Sequence, residues 1–362
     1  MKITGFETGV VALPRTVGPL SSGPGSVAAS FVTLKLRTDD GIEGIGYAGF
    51  ASDVMLKALK QSMDSLSEQT IGSDPMMVEQ INAHLMALGG SGSPAGLVTR
   101  SVSAIDVALW DIRGKALGQP IYRLLGGFAD RVPTYASGHL WRTYDLDMLA
   151  RTGPDLVEQG FKAMKFRMGG EDTDAKEIER MRVMRSAIGD EVDLMVDINQ
   201  GWDINTTMRI GRLMADFGLF WLEDPIQHQD YEGYARIADA LDTPIATGEY
   251  HYGTIPFRHM LEHRSLDIVM VDLLRVGGLT GFMKVAHMAE IFNLPVVSHL
   301  ATEVLVHAVA AAPNGLTVEH MPWTFDMFTK EPKVEDGQIV LPQAPGLGVE
   351  FDEEKLAMYA VD

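Results

Sequence analysis

The sequence predicts an α/β protein in which a parallel βα barrel follows a smaller region of strands and helices. From about residue 131 a short apolar run and an amphipathic helical stretch alternate repeatedly. Such alternation makes a parallel sheet, and seven or eight units close into a barrel. Before that point two strand-like runs come first and helical stretches follow. The length of 362 residues allows about two domains and a large core.

The opening region is predicted to be a β-meander followed by a helical bundle. The run Phe31–Leu36 alternates apolar and polar residues, and after a turn a second run continues to Tyr47. The stretch Thr16–Ala29 is rich in Gly, Ser and Pro and is predicted to be a mobile loop. Residues 54–126 have the spacing of helices, with an apolar face in Ser101–Leu117.

The helices of the barrel region and the chain end are marked by local signals. Asp172 and Thr173 are both available to cap one helix and Gly189 is predicted to follow its last residue, while Thr280 is predicted to cap a later helix. The residues from about Pro322 onward are irregular, with a strand expected at Gln338–Leu341. This last segment is able to pack back on the opening region.

Composition excludes several classes of function. The formal charge of −19 and the lack of a Lys/Arg run argue against nucleic acid and anionic membranes as partners. The absence of cysteine excludes disulfides, thiolate nucleophiles, zinc fingers and iron–sulfur clusters. The first residues lack the pattern of a signal peptide, and no apolar stretch is long enough to span a bilayer. A cytoplasmic protein is expected.

A polar residue closes each short apolar run of the barrel region. In a βα barrel the carboxyl ends of all strands meet at the catalytic mouth. From Asp197 to Glu319, successive members of the series are 20 to 27 residues apart, about one βα unit. The series predicts one site built from Lys165, Arg167, Asp197, Asn199, Glu223, Glu249, Asp272, His299 and Glu319.

Three carboxylates of the series come from adjacent strands. Gathered without a cation, Asp197, Glu223 and Glu249 would repel one another and their pKa values would rise. Oxygen-only ligands suit a hard cation, so Mg²⁺ is expected, with Mn²⁺ as the alternative ion. The competing interpretation is that these carboxylates pair with Arg or Lys inside the barrel.

The remaining members suggest acid–base chemistry on an anion. Lys165 and Arg167 are two apart on a strand and face the same side. Facing inward, they would give the cavity a positive wall suited to an anionic substrate. Asp272 next to His299 would fix the imidazole tautomer and make it a base. Glu319 could be either an ion-pair partner or, if protonated, a donor to a developing oxyanion.

The order of these residues resembles that of the mandelate racemase subgroup of the enolase superfamily, the mandelate racemase/muconate lactonizing enzyme family. The resemblance covers nearly the whole chain. It is carried by Lys165-Phe166-Arg167, Val196–Gln200, Glu223-Asp224-Pro225, Gly248-Glu249, Asp272 ahead of Gly277-Gly278, Val297–Leu300, Glu319, Ala104–Asp111, Leu124–Gly127 and Pro345–Gly348.

The resemblance implies a (β/α)7β barrel with an α+β capping domain built from both chain ends. The expected domains are residues 1–130 (cap), 131–321 (barrel) and 322–362, which return to the cap. Subgroup members often assemble, so a homo-oligomer is expected. The segments Thr16–Ala29 and Tyr47–Ser52 would close over the substrate.

The resemblance also implies removal of the proton α to a carboxylate, which gives a metal-stabilised enediolate. One Mg²⁺ would be held by Asp197, Glu223 and Glu249. The remaining roles follow residue by residue: Lys165 would contact the substrate carboxylate, His299 with Asp272 would be a base, Glu319 would hydrogen-bond the enediolate, and Asn199 and Ser137 would line the site.

One departure from the family narrows the reaction. The racemases carry lysine where this chain has Arg167, and guanidinium is a poor base at neutral pH. Chemistry with one base favours a hydro-lyase that dehydrates a sugar acid to a 2-keto-3-deoxy acid. A racemase or epimerase of a 2-hydroxy or related acid is the alternative. A barrel that has lost activity and serves as a scaffold is disfavoured by the intact site, and cycloisomerases typically lack the His–Asp pair.

Overall fold

The opening region is an antiparallel sheet. A computed structural model describes residues 1–14, 29–49, 53–90 and 95–361. The strands are β1 (Ile3–Leu13), β2 (Ala29–Thr38) and β3 (Glu43–Gly49), in that spatial order. The predicted meander is therefore confirmed. The predicted loop Thr16–Ala29 lies outside the described residues except for Ala29, which begins β2, and so do residues 50–52 of the second predicted closing segment.

Four helices follow, as the spacing of apolar residues predicts. They are α1 (Asp53–Glu68), α2 (Val78–Gly90), α3 (Leu97–Leu117) and α4 (Ile121–Leu124). The long helix α3 is buried along most of its length because it packs between β3 and the barrel. Two of its acidic residues connect separate parts of the chain. Asp106 accepts a hydrogen bond from Thr280 N (3.1 Å), and Asp111 accepts one from Leu347 N (2.9 Å).

Eight parallel strands close into a barrel, which confirms the (β/α)7β prediction. They run in sequence order around the barrel and the last pairs with the first. The strands are β4 (Arg131–Ala136), β5 (Ala163–Arg167), β6 (Asp193–Asp197), β7 (Leu219–Glu223), β8 (Ile245–Thr247), β9 (Ile268–Asp272), β10 (Val296–His299) and β11 (Gly315–His320). Side chains such as Tyr135, Met195, Trp221 and Met270 fill the interior.

Helices surround the barrel and the chain end returns to the cap. The helices are α5 (Leu146–Glu158), α6 (Asp174–Ile188), α7 (Ile204–Met214), α8 (Tyr231–Ala240), α9 (Ile255–His263), α10 (Leu273–Val276), α11 (Gly278–Ile291), α12 (Thr302–Ala311) and α13 (Glu353–Met358). A hairpin of β12 (Val334–Glu335) and β13 (Gln338–Val340) pairs with β4, and Ala360 forms a bridge with Val11 of the cap sheet. The domain boundaries after residues 130 and 321 stay a prediction.

The predicted helix ends are right in one case and wrong in another. Thr173 caps α6 through its side chain, and Gly189 follows the last helical residue. Thr280, however, is not a cap but the third residue of α11. The helix begins earlier because Gly277 has a φ of 96°, a left-handed conformation that turns the chain from α10 directly into α11. Within the described residues no helix combines the length and the apolar character needed to span a membrane.

Replacing Gly278 with alanine should destabilise the contact between cap and barrel. Gly278 has a φ of +86°, and a Cβ there would lie 2.3 Å from Asp106 Oδ2. We expect a loss of about 3 kcal/mol in the free energy of unfolding, from backbone strain and steric overlap together. Gly118→Ala is the control because its φ is +64° and nothing lies within 4 Å of its Cβ position. Strain alone costs about 1 kcal/mol there. Equal losses in urea unfolding would contradict the steric role of Asp106.

Candidate active site

The predicted site residues lie together at the carboxyl ends of the barrel strands. The strand register pairs Arg167 with Asp197, Asp197 with Glu223, and Asp272 with His299. Residues paired in this way stand at one level of a parallel barrel, so their side chains share one rim. The buried or half-buried members are Ser137, Lys165, Arg167, Asp197, Asn199, Glu223, Glu249, Asp272, His299 and Glu319.

Lys165 joins three carboxylates on the floor of the site. Its Nζ lies 2.7 Å from Glu223 Oε1, 2.9 Å from Glu319 Oε1 and 3.7 Å from Asp197 Oδ2. Burial alone would lower the pKa of this amine, but the surrounding carboxylates raise it well above its ordinary value. The ammonium group therefore stays charged in a position where the side chain is 1% exposed.

Arg167 is fixed beside Lys165 by its neighbours. Its Nη1 donates to the Ser137 carbonyl (2.7 Å) and its Nη2 to Ser137 Oγ (3.0 Å). The guanidinium carbon lies 3.8 Å from the centre of the Trp141 ring, and Nε lies 3.7 Å from Asp197 Oδ2. Both cations therefore face the barrel interior, as their spacing on β5 predicts. A guanidinium held in this way supplies charge and donors but no readily removed proton.

The three carboxylates that lie closest together differ by one residue from the predicted set of metal ligands. Oxygen atoms of Glu223, Asp224 and Glu249 lie within 4.8 Å of one another. Asp197 is outside this group. Its two oxygens accept hydrogen bonds from Asn199 N and Nδ2, each 2.8 Å long. The geometry thus groups Asp224 with two of the three predicted metal ligands.

Asp224 belongs to the acidic cluster of the site, although its position in the sequence does not predict a role of its own. Strand alternation places successive residues on opposite faces, so the neighbour of Glu223 is expected to point away from it. Asp224 has a φ of 41°, which breaks that alternation directly after β7. Its carboxylate accepts a hydrogen bond from the Thr247 hydroxyl. The available signal was an acidic residue that directly follows a predicted ligand at a strand end.

The donor set fits a hard cation. Asp224 Oδ2 and Glu249 Oε2 are buried and accept no hydrogen bond from the described residues. His299 Nε2 lies 3.1 Å from the latter oxygen but is not aligned as a donor to it. Burial and neighbouring carboxylates raise the pKa values of Glu223 and Asp224 well above the ordinary range. Unsatisfied carboxylate oxygens in a cluster with excess negative charge are what Mg²⁺ prefers.

His299 and Asp272 form a close pair at the ends of β10 and β9. His299 Nδ1 lies 2.7 Å from Asp272 Oδ2, and Arg275 N donates to Asp272 Oδ1 (2.8 Å). Burial would raise the pKa of Asp272, but Arg275 and His299 hold it well below its ordinary value. Burial would lower the pKa of His299, but Glu249 and Asp272 raise it. A proton on Nδ1, donated to Asp272, leaves Nε2 as the basic atom that faces the carboxylates.

Glu319 accepts two hydrogen bonds and forms an ion pair. The hydrogen bonds come from Ser137 Oγ (2.5 Å) and Leu300 N (2.6 Å), and Lys165 Nζ lies 2.9 Å from Oε1. Burial alone would raise the pKa of the Glu319 carboxyl. The nearby positive charges of Lys165 and His299 outweigh burial and lower this pKa to about 2. Leu300 directly follows His299 and has a left-handed φ of 54°. Of the two roles left open by the sequence, these contacts favour the ion pair.

Comparisons with known proteins agree with this architecture. Residues 148–355 match the enolase C-terminal domain-like family, and residues 6–126 match the mandelate racemase / muconate lactonizing enzyme N-terminal domain. The chain is 32% identical over 325 residues to L-talarate/galactarate dehydratase of Salmonella typhimurium, covering 90% of this chain and 81% of that protein. It is 28% identical over 372 residues to N-succinyl-L-Arg/Lys racemase of Bacillus cereus, covering 98% and 97% respectively.

A solved structure extends the comparison to three dimensions. L-talarate dehydratase from Polaromonas sp. JS666, crystallised with Mg and L-glucarate, superimposes with a TM-score of 0.92 at 31% identity, covering 100% of this chain and 98% of that one. The family matches together span the cap and the barrel, and the relatives are hydro-lyases and isomerases. The chain therefore belongs to the mandelate racemase subgroup of the enolase superfamily and is an enzyme, a carbon–oxygen lyase or else an isomerase.

Proposed function

We propose that the chain is a Mg²⁺-dependent acid-sugar dehydratase that uses His299 as its base. The observation that carries this proposal is the combination of one well-oriented imidazole, 2.7 Å from Asp272, with an arginine where a second base would stand. The dehydratase relatives, one of them crystallised with Mg and a sugar acid, support the same reaction class.

Mg²⁺ would be held by Asp197, Glu223 and Glu249, with Asp224 next to them. When bound, the ion would hold the substrate carboxylate and stabilise the charge that develops as the α-proton leaves. Lys165 supplies a second positive charge at the same carboxylate, which is electrostatic stabilisation prepared before the reaction begins. Because the protein carries a formal charge of −19, an anionic substrate needs this local positive charge in order to bind.

The proton steps follow from the arrangement of His299. Its Nε2 takes the proton from the α-carbon, and the electron pair of that C–H bond enters an enediolate. The resulting imidazolium then gives its proton to the β-hydroxyl, so the C–O bond breaks and water leaves. The enol product becomes a 2-keto-3-deoxy acid. Asp272 keeps the ring oriented through both steps.

The environment of Arg167 and Glu319 favours one-base chemistry. Racemisation by two bases needs a removable proton carrier on each face of the α-carbon, and the bound guanidinium of Arg167 is a poor one. Glu319 is ionised and saturated with donors, so we assign it to holding Lys165 and the Leu300 turn after His299. Racemisation or epimerisation is the second candidate, because a racemase is among the relatives.

A screen of sugar acids tests the proposal. The Mg²⁺-loaded protein is incubated with a library of mono- and dicarboxylic sugar acids, and 2-keto products are detected with semicarbazide. We expect a 2-keto-3-deoxy product from at least one acid. Exchange of the α-proton without a keto product would favour the isomerase candidate instead. Silence in both assays, with Mg²⁺ bound, would contradict both.

The identity of the third metal ligand can be tested by a matched pair of variants. We expect Asp197→Asn to weaken Mg²⁺ binding by at least about 10-fold, because a ligand carboxylate becomes a neutral amide. Asp224→Asn should weaken it less, because the proposal places Asp224 next to the ligands rather than among them, although its Oδ2 atom has no hydrogen-bond partner among the described residues. Isothermal titration with Mg²⁺ measures both values. The opposite order would make Asp224 the ligand and Asp197 an ion-pair partner of Lys165 and Arg167.

A further inference from the structure

Arg142, in the segment between β4 and α5, is fixed at the rim of the site by contacts to the two segments that follow β5 and β6. Its Nη2 donates to Asn199 Oδ1 (2.7 Å), and its Nε donates to the Met168 carbonyl (3.2 Å). Its aliphatic stem lies across Gly170, where an added Cβ would come within 3.4 Å of Arg142 Cβ. The guanidinium is therefore oriented before any ligand arrives.

One edge of that guanidinium, the Nη1 group, has no hydrogen-bond partner among the described residues. No carboxylate among them lies within 4.0 Å of Arg142. The side chain is half-buried rather than exposed. Lys165 and Arg167, by contrast, both lie within 4.0 Å of the Asp197 carboxylate. Arg142 is thus a fixed positive charge with two N–H groups left to donate.

A row of contacts connects Arg142 to the place where the reacting carboxylate is proposed to bind. Asn199 Oδ1 accepts from Arg142, Asn199 Nδ2 donates to Asp197 Oδ2 (2.8 Å), and that oxygen lies 3.7 Å from Lys165 Nζ. Two cations therefore stand at the two ends of one wall of the site. Lys165 is at the buried end and Arg142 is at the more open end.

The chemistry of the two ends points to a ligand with two anionic groups. A protein with a formal charge of −19 repels a dianion unless each anionic group meets a local cation. Arginine is well suited to carboxylates because its planar group can donate two parallel hydrogen bonds. A sugar acid that ends in a hydroxymethyl group would leave the charge of Arg142 unmatched.

We propose that Arg142 binds the distal carboxylate of a dicarboxylic sugar acid, so that the enzyme selects aldaric over aldonic acids. The inference rests on the proposed function, because it places the reacting carboxylate at Lys165. A purely structural role for Arg142, in which it only orients Asn199, predicts that both kinds of acid suffer equally when it is replaced.

Matched pairs of acids separate the two roles. The probes are galactarate with galactonate, glucarate with gluconate, and mannarate with mannonate, which differ only in the distal group. For each pair, kcat/KM for dehydration and the affinity of the Mg²⁺-loaded protein by calorimetry are measured. The variants are Arg142→Met, which keeps the packing on Gly170, Arg142→Lys, which keeps the charge, and Arg151→Met. The last changes the net charge equally at an exposed position on α5.

We expect the native protein to prefer the aldaric acid of at least one pair. In Arg142→Met that preference falls about 10- to 100-fold, the value of a charged hydrogen bond. Arg142→Lys retains part of the preference, and Arg151→Met retains all of it. Equal losses for both acids of a pair, a native preference for aldonic acids, or no binding of any probe would overturn the proposal. Preferential binding of aldaric acids without any dehydration would sustain the role of Arg142 and refute the proposed function.

Discussion

His299→Asn is expected to lower the rate of dehydration by about 10³- to 10⁴-fold, because asparagine fills a similar space but takes no proton. The same change should abolish exchange of the substrate α-proton with D₂O, which reports the first step alone. Mg²⁺ binding should persist, since the carboxylate cluster is untouched. NMR in D₂O and calorimetry with Mg²⁺ measure these quantities on the same preparation.

A second histidine serves as the control for this change. His287 is exposed on α11 and is not one of the rim residues, so His287→Asn should leave both exchange and product formation unchanged. Near-normal α-proton exchange in His299→Asn would refute the assignment of the base. Loss of Mg²⁺ binding in that variant would indicate instead that the imidazole supports the metal site.

Lys165→Met is expected to have the largest effect on stability as well as a large effect on activity. The ammonium lies within 4 Å of Glu223, Glu319 and Asp197, all of them buried. Its removal leaves these carboxylates without their cation, which costs about 3 to 5 kcal/mol when a buried ion pair is broken. Dehydration should fall by about 10²- to 10³-fold, as when one fixed donor to a developing charge is lost.

Mg²⁺ makes this prediction more specific. In the variant, the ion becomes the main source of positive charge for the carboxylate cluster, so added Mg²⁺ should raise the unfolding temperature more than it does in the native protein. Lys162→Met is the control, because its pair with Asp336 is exposed and exposed pairs contribute less than about 1 kcal/mol. If Lys165→Met and Lys162→Met were equally stable without Mg²⁺, the contacts described for Lys165 would not matter energetically.

The barrel and its rim could be predicted because they depend on local pattern. Buried parallel strands are continuous apolar runs. A polar residue at the carboxyl end of such a run lies at the mouth of the barrel. Lys165, Asp197, Glu223 and His299 were found in this way without any knowledge of distance. The cap sheet was equally visible, since β2 alternates and ends at a turn.

The parts that escaped prediction depend on backbone conformation and long-range contact. Asp224 enters the acidic cluster because of a positive φ that strand periodicity does not reveal. Arg142 lies in a loop, and only the folded chain brings it to Asn199, 57 positions away. The state of Glu319 depends on donors from three elements, none of them adjacent in sequence. Thr280 was misplaced because Gly277 starts the helix earlier than capping preferences suggest.

The most direct test of one-base dehydration follows the fate of the α-carbon in D₂O. The native protein, loaded with Mg²⁺, is incubated with the sugar acid that the screen identifies, and NMR spectra are recorded over time. The expected result is loss of the substrate signals and growth of a 2-keto-3-deoxy acid, with no build-up of the α-epimer. Accumulation of α-deuterated acid of inverted configuration, without keto acid, would show that a second base acts opposite His299 and would contradict the proposed dehydration.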